Sequence, residues 1–471
     1  MAGAARAYDL VVWGGSGFTG RLAAEYLARK YTPGGSSASA DASALPAGSG
    51  AETVRWAIAG RDKVKLEGIR DGIMAKHPHV KSIDILVGCI DDPVSLEAVA
   101  SKANTVLSFA GPFAKFGMPI VDACVKCGTD YCDITGEPTF IRDVIDKHDA
   151  AARKAGCCVV NCVGYDSIPW DLGAWAVAKH LKESGDECQL AAGHRGDAKG
   201  GISGGTIASA LNLVSTTPWS TLKAMGSPHF LAKGSAPPAD PVAAARWKTQ
   251  SGFEYDADVR TWTMPSIMAG INSKVVGRSA SLAPNAPYPP TFAYTESDLC
   301  PGMTSAALGT AAIGLFGAAL MFPPTRWLLS NTLLPKPGQG PGEKTRETGY
   351  AHVYVVGTGR SGGGGEGGGG GGGGKDVDAT EAAATKRSIA HMEFKNADPG
   401  YKGTAALAVE AALCLALPAE RRNTPVKEFG GGGCLTPAVA LGQVLVDRLN
   451  KSDTFKFEVG PLTENTVIKV G

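Results

Sequence analysis

The sequence predicts an α/β fold built around a doubly wound parallel sheet, and three observations carry that expectation. An apolar run, Tyr8-Asp9-Leu10-Val11-Val12-Trp13, leads into Gly14-Gly15-Ser16-Gly17-Phe18-Thr19-Gly20, after which Leu22, Ala23, Tyr26 and Leu27 recur at helical spacing. Arg55-Trp56-Ala57-Ile58-Ala59 reads as a second buried parallel strand and ends in Gly60. Further strand-like runs at Ile83 to Val87, Thr105 to Ala110, Tyr131 to Ile134 and Cys158 to Val163 alternate with helical patterns, the order that lays helices on both faces of a parallel sheet.

The first unit carries the strongest functional signal. A strand ending in Gly14, Gly17 and Gly20 turns tightly into a helix, and without side chains there a pyrophosphate can lie against the helix's first unpaired N–H groups. The spacing is G-x-x-G-x-x-G, and in a chain with 63 glycines such a triplet alone would equally mark a structural turn. Its position between a strand and a helix favours a dinucleotide site. The second strand bears on the cofactor. Where NAD sites place an acidic residue for the ribose 2′-OH, this chain has Arg61, whose charged fork suits a 2′-phosphate, so NADP is favoured over NAD. Two alternatives stay open: Arg61 as a solvated residue at a strand end, and Asp62 as the acidic group one or two positions late. Ligands of such sheets gather at the strands' carboxyl ends, which puts Gly111-Pro112-Phe113, Asp133-Ile134-Thr135-Gly136-Glu137 and Gly164-Tyr165-Asp166-Ser167 along one rim.

Composition agrees with an enzyme of this kind. A chain of 471 residues, 44% hydrophobic, is long enough for two domains with large cores. A net charge of +1 gives no basic field for nucleic acid, so none is expected as a partner. Met1 to Ala7 is too short for a signal or transit peptide, and the eleven cysteines then point to a reducing compartment, with the cytoplasm as the expectation. Cys124 and Cys127 form C-x-x-C inside a predicted amphipathic helix without a second pair at finger spacing, and the histidines include no H-x-x-x-H. Buried thiols are expected, and no metal site. Pro33 to Gly50 and Gly362 to Gly374 are low-complexity insertions, the second read as an overgrown hairpin loop between β-like runs at Ala351 to Val356 and Arg387 to Phe394.

One apolar segment has two readings. No charged residue occurs from Cys300 to Thr325, and Ala312 to Phe322 precedes Pro323-Pro324 and then Arg326-Trp327. The window is long enough to cross a membrane but rich in alanine and glycine, so it reads either as a buried helix of a second domain or as an interfacial hairpin anchor on a lipid surface.

Taken together, Gly14 to Gly20, Ala59-Gly60-Arg61, Ala110-Gly111-Pro112-Phe113, Tyr131-Cys132-Asp133-Ile134-Thr135-Gly136-Glu137 and Gly164-Tyr165-Asp166-Ser167-Ile168-Pro169 resemble the saccharopine dehydrogenase-like oxidoreductases. The branch they are similar to includes the trans-acting enoyl reductases of glycolipid synthesis and the eukaryotic saccharopine dehydrogenase-like proteins. Gly204-Gly205-Thr206, Leu334 to Pro341, Asp398-Pro399-Gly400-Tyr401 and Gly433 to Ala438 fit the same branch. The resemblance implies a Rossmann-like domain over residues 1–165, a second α+β domain on the substrate side over 166–400 and a closing segment, 401–471, that packs back on the first domain. It implies NADP binding, with NAD as the other cofactor, through Gly14, Ser16, Gly17, Phe18, Thr19, Gly20, Arg61, Ala110, Gly111 and Pro112.

The implied chemistry is reduction of a C=C or C=N bond in a lipid-like or other apolar metabolite. A catalytically idle nucleotide-binding protein at a lipid droplet or membrane surface is the alternative. Partners are then a hydrophobic small molecule, a lipid surface touched peripherally and a second copy in a homodimer. Hydride transfer needs a proton source. The rim offers Tyr131, Asp133, Glu137, Tyr165 and Asp166, of which Tyr131, Glu137 and Asp166 are the candidates, although Thr135, Glu137, Asp166 and Ser167 also stand before Pro138 or Pro169 as helix caps. Saccharopine chemistry itself asks for cations to grip carboxylates; Arg195, Arg260, Lys274 and Arg278 are available for that, or are simply solvated.

Overall fold

A computed structural model describes residues 6–32, 53–200, 215, 217–232, 246–247, 249–282, 287–332, 340–361 and 386–471. Both low-complexity insertions, the Gly204-Gly205-Thr206 motif and residues 334–339 lie outside them.

Seven parallel strands form the first sheet. β1 (Tyr8–Trp13), β2 (Trp56–Gly60) and β3 (Asp84–Val87) step outward in one direction, then β4 (Ala103–Ser108) returns to the other side of β1 and β5 (Asp130–Asp133) and β6 (Cys158–Val160) continue from it. The switch of direction between β1 and β4 is where such sheets open a crevice for a ligand. The connecting helices are α1 (Phe18–Tyr31), α2 (Lys63–Lys76), α3 (Pro93–Ala100), the short α4 (Phe113–Phe116), α5 (Met118–Cys127) and α6 (Pro138–Ala155). β1 and β2 are buried almost throughout, which is why both read as unbroken apolar runs. The sixth strand ends three residues earlier than its apolar run, because Cys162 adopts a left-handed φ of 63° that pleated backbone does not allow.

α7 (Ile168–Glu183) leaves the first sheet and lies on the second, a mixed seven-stranded sheet in the order β14-β12-β11-β7-β10-β9-β8. Its strands are β7 (Asp186–Lys199), β8 (Glu254–Asp256), β9 (Thr261–Pro265), β10 (Ala293–Cys300), β11 (Tyr350–Ser361), β12 (Lys386–Phe394) and β14 (Phe455–Pro461), and β7 and β10 form its parallel pair. β11 and β12 pair antiparallel from Ala351 opposite Phe394 to Gly359 opposite Lys386, the hairpin expected around the glycine-rich insertion.

Residues 401–471 serve both sheets. The helix Thr404–Ala416 is fastened to the first domain, where Asn104 Nδ2 donates to Ala416 O at 3.0 Å and Tyr26 Oη to Glu410 at 2.6 Å. β13 (Gly433–Leu435) adds the seventh parallel strand beside β6, and after the helix Pro437–Asn450 the chain forms β14 at the edge of the second sheet. The eleven cysteines are all free, Cys124 buried and Cys127 partly so within α5. The helix Met303–Met321 is not a core helix: of its residues only Ala306 is buried, which removes the buried reading of the apolar segment.

Candidate active site

The glycine turn has the shape of a phosphate cradle. Gly14 and Gly15 donate to Ala59 O at 2.9 and 3.1 Å, which pins the end of β1 to β2. Gly14 then takes φ +77°, and a Cβ there would stand 3.0 Å from Ala110 N; a Cβ on Gly20 would collide with the Gly14 carbonyl oxygen. These glycines therefore set how closely β1, the start of α1 and the loop after β4 approach one another. Gly17 caps α1 without a side-chain hydrogen bond, so no side chain of its own competes for the helix's first N–H groups. Ser16 and Gly17 are exposed on this turn, and Thr19 is half-buried in the first helical turn. Phe18 turns toward the protein instead. Its ring meets the edge of Tyr401 with centroids 5.1 Å apart, carries the Arg346 and Arg21 guanidinium groups at 5.4 and 5.7 Å, and rests on Gly340.

At the end of β2 the structure separates Arg61 from Asp62. The Asp62 carboxylate accepts from Lys65 N at 3.1 Å as the N-cap of α2, and that hydrogen bond holds it below the usual carboxylate range. Arg61 is exposed beside it, with no hydrogen bond or ion pair among the described residues. These residues fit a dinucleotide: a side-chain-free cradle and an uncapped helix start, with the Arg61 guanidinium exposed at the end of β2.

Ala110, Gly111 and Pro112 form the loop that leans on Gly14, and Glu137 holds it in place. Both Glu137 oxygens accept backbone N–H groups, from Phe113 and Ala114 at 2.9 Å each, so this carboxylate caps α4 although it stands at the N-cap position of α6. Glu137 is a positioning residue, committed to shaping the rim. Tyr131 is fully buried, and its hydroxyl donates to Asp133 Oδ2 at 3.0 Å. Asp133 also accepts from Asn161 Nδ2 at 2.8 Å and Thr135 N at 3.1 Å, yet burial pushes its carboxyl up to about 7. This pair is sealed beneath the rim.

Asp166 differs from both. It sits half-buried in the turn between β6 and α7, accepts no hydrogen bond among the described residues, and burial pushes it up to about 6. Two hydroxyls within its electrostatic reach, Tyr165 and Tyr401, are buried without a hydrogen-bond partner among the described residues. Burial raises the Tyr401 hydroxyl, with the charges of Asp398 and Asp166 adding to it, so Tyr401 is in electrostatic reach of Asp166 while its ring touches Phe18. Tyr165 is likewise raised by burial and also feels Arg195 and Asp298 of the second sheet. The two tyrosines thus relate the turn that carries Asp166 to the nucleotide turn on one side and to the charges of the second sheet on the other. Tyr401 belongs to this site and was not among the sequence candidates; its signal was Asp398-Pro399-Gly400-Tyr401, which forms a π-helical turn capped by Asp398, a local irregularity frequent at functional sites.

No protein-family model matches the chain. The trans-acting enoyl reductase of Mycobacterium tuberculosis is 31% identical over 463 residues, 95% of this chain and 97% of that protein. The chain belongs to the trans-acting enoyl reductase family. The trans-acting enoyl reductase of Mycobacterium leprae is 28% identical over 457 residues, covering 94% of this chain and 96% of its own. Among solved structures, the apo saccharopine dehydrogenase (L-Glu forming) from Saccharomyces cerevisiae aligns with 96% of this chain and 99% of its own, at 11% identity and a TM-score of 0.48. Family membership makes the chain an oxidoreductase.

The four cations available for gripping carboxylates do not converge. Arg195 pairs with Asp298, Arg260 donates to Glu464 O and Thr466 O at 2.8 and 3.0 Å, and Arg278 donates to Leu231 O and Cys434 O from a buried position. Lys274 is buried on its own helix, Ala269–Leu282, where burial lowers its ammonium to about 8. Each is occupied within the fold.

Proposed function

We propose that the chain is an NADPH-dependent reductase of a C=C bond in an apolar acyl substrate, with Asp166 as the proton donor. The observation that carries this reading is Asp166 itself: a half-buried carboxyl on the rim with no partner among the described residues, raised to about 6 by burial, in electrostatic reach of a tyrosine that touches the nucleotide turn. The residues of the cradle, Gly14 to Gly20, bind and orient the pyrophosphate, and Arg61 pairs with the 2′-phosphate. Bound NADPH supplies the hydride. Addition of hydride at the β-carbon of an enoyl group leaves negative charge toward the α-carbon, and a carboxyl near neutral pKa is matched to deliver the compensating proton. Tyr165 and Tyr401 offer donors to the substrate oxygen as charge develops there. That the four candidate cations are each held by other partners among the described residues favours an uncharged, apolar substrate over an amino-dicarboxylate.

Consumption of NADPH with enoyl thioesters tests the reading. Asp166→Asn is expected to lower kcat by on the order of a hundredfold while leaving NADPH binding intact. In the native enzyme kcat falls as pH rises through about 6, since the acid form is the active one. An unchanged kcat in the variant would remove Asp166 from the role. Arg61→Ala is expected to weaken NADPH by roughly tenfold to a hundredfold and NADH hardly at all, whereas equal losses would reject the 2′-phosphate assignment.

A further inference from the structure

We propose that the helical hairpin of residues 303–332 enters a phospholipid surface from one side and holds the molecule there. Its first helix, Met303–Met321, is anchored to the second sheet at its base only. Ser305 Oγ accepts from Gly302 N at 3.2 Å and donates to Gly302 O at 2.8 Å where the helix leaves β10, and Gly309 rests on Met264 of β9. Beyond that point the helix leaves the body of the protein. Leu308 and Leu315 are each 73% exposed, Phe316, Met321 and Phe322 are exposed as well, and Trp327 and Leu328 continue the apolar surface on the following helix, Pro323–Thr332.

The distribution of these residues selects lipid over a protein groove. A helix that docks on protein presents an apolar stripe backed by a polar face. Here the polar side chains Thr304, Ser305 and Thr310 all lie in the first eight residues, and 311–321 contain none on any face. A helix apolar all round suits a medium that is apolar from every side. At 19 residues it is about 28 Å long, close to the hydrocarbon thickness of a bilayer, and its mean hydropathy over the apolar window is 1.6.

The route of the chain excludes a span. The path leaves the protein at Gly302, turns at Pro323-Pro324, and by Gly340 is again against Phe18, with Glu343 3.5 Å from Lys76 and Arg346 over the Phe18 ring. Both ends of the excursion are therefore on the same side of whatever it enters. Trp327, 68% exposed just after the double proline, is the residue type that settles at the headgroup level. After the excursion, Gly340 and Arg346 rest on Phe18 of the nucleotide turn. The proposal is independent of the reduction chemistry, since it needs neither NADPH nor turnover.

Flotation of the full chain with phosphatidylcholine vesicles tests it. The protein is expected to float with the vesicles at low and at high salt, because the attraction is apolar. The double variant Leu315→Asp, Phe316→Asp is expected to lose at least about tenfold of that binding, since carboxylates at these positions oppose burial in hydrocarbon, with circular dichroism and NADPH-induced thermal shift unchanged. A native protein that stays at the bottom of the gradient overturns the proposal, as does a variant that floats equally well. So does a tight dimer in sedimentation that the double substitution splits without any flotation, which would assign the face to a second copy. Should the variant fail to fold, brominated phosphatidylcholine decides with the native chain: quenching of tryptophan fluorescence is expected, and its absence overturns the proposal.

Discussion

Two helices of nearly the same composition end in opposite surroundings. Thr404–Ala416 (TAALAVEAALCLA) is buried at every residue, whereas Met303–Met321 (MTSAALGTAAIGLFGAALM) buries Ala306 and little else. What separates them is a single charged residue and its partners. Glu410, in the middle of the buried helix, accepts from Tyr26 and Tyr31 hydroxyls at 2.6 Å, from Lys30 at 2.8 Å and from Arg448 at 2.9 Å. Burial alone would raise this carboxyl, but Arg448 and Lys30 hold it below the usual range. An apolar helix can pack in several rotations; one fully satisfied charge admits a single one. The helix at 303–321 carries no such polar anchor and packs at its base only.

Breaking that anchor has the largest expected effect. Glu410→Ala leaves Arg448 buried with its other acidic partner, Glu420, 2.6 Å away, and takes from Lys30 its ion-pair partner; a loss of about 3–5 kcal/mol is expected in denaturant unfolding. A loss under about 1 kcal/mol would show that apolar packing alone places the helix. Next in size is the contrast between equal truncations. Leu413→Ala in the buried helix should cost about 2–5 kcal/mol, and Leu315→Ala in the exposed one less than about 0.5 kcal/mol in the same buffer. Similar costs would mean that the second helix packs on protein in solution.

The smallest effect extends the comparison to a buried carboxyl without a cation. Glu296 accepts from Tyr294, Ser266 and Asn272, and burial pushes it up to about 8. With its folded value above its unfolded one, Glu296 favours the native state at low pH, and that contribution is lost as pH rises toward and through about 8. Glu296→Gln mimics the protonated form, so the native chain should lose roughly 2 kcal/mol relative to this variant between about pH 6 and about pH 8. Parallel pH profiles for the two proteins would count against the protonated assignment.

The first sheet and its glycine turn were legible because strand, turn and helix are contiguous in the chain and each has a local signature. β13 was not: three residues, Gly433 to Leu435, are too few to show a period, and they join β6 only through the fold. Within the site, Arg61 and Asp62 were ambiguous in sequence because either can occupy a strand end, and the cap on α2 is what distinguishes them. The roles of Glu137 and Tyr401 depend on partners distant in sequence, Phe113 and Phe18, so neither spacing nor composition carried them. The apolar segment at 303–321 remained open for the same reason that makes the two helices worth comparing: alanine, leucine and glycine do not record what they face.

The closing stretch of chain has a consequence for biosynthesis. β13 completes one sheet and β14 the other, and just before them Arg421 reaches back to bind Asp130 of the first sheet. Neither half of the molecule can be finished while that stretch is still inside the ribosome, so the two halves mature together, once it has emerged. A nascent chain stalled before Gly433 would expose two raw sheet margins at once, a situation that invites chaperone capture.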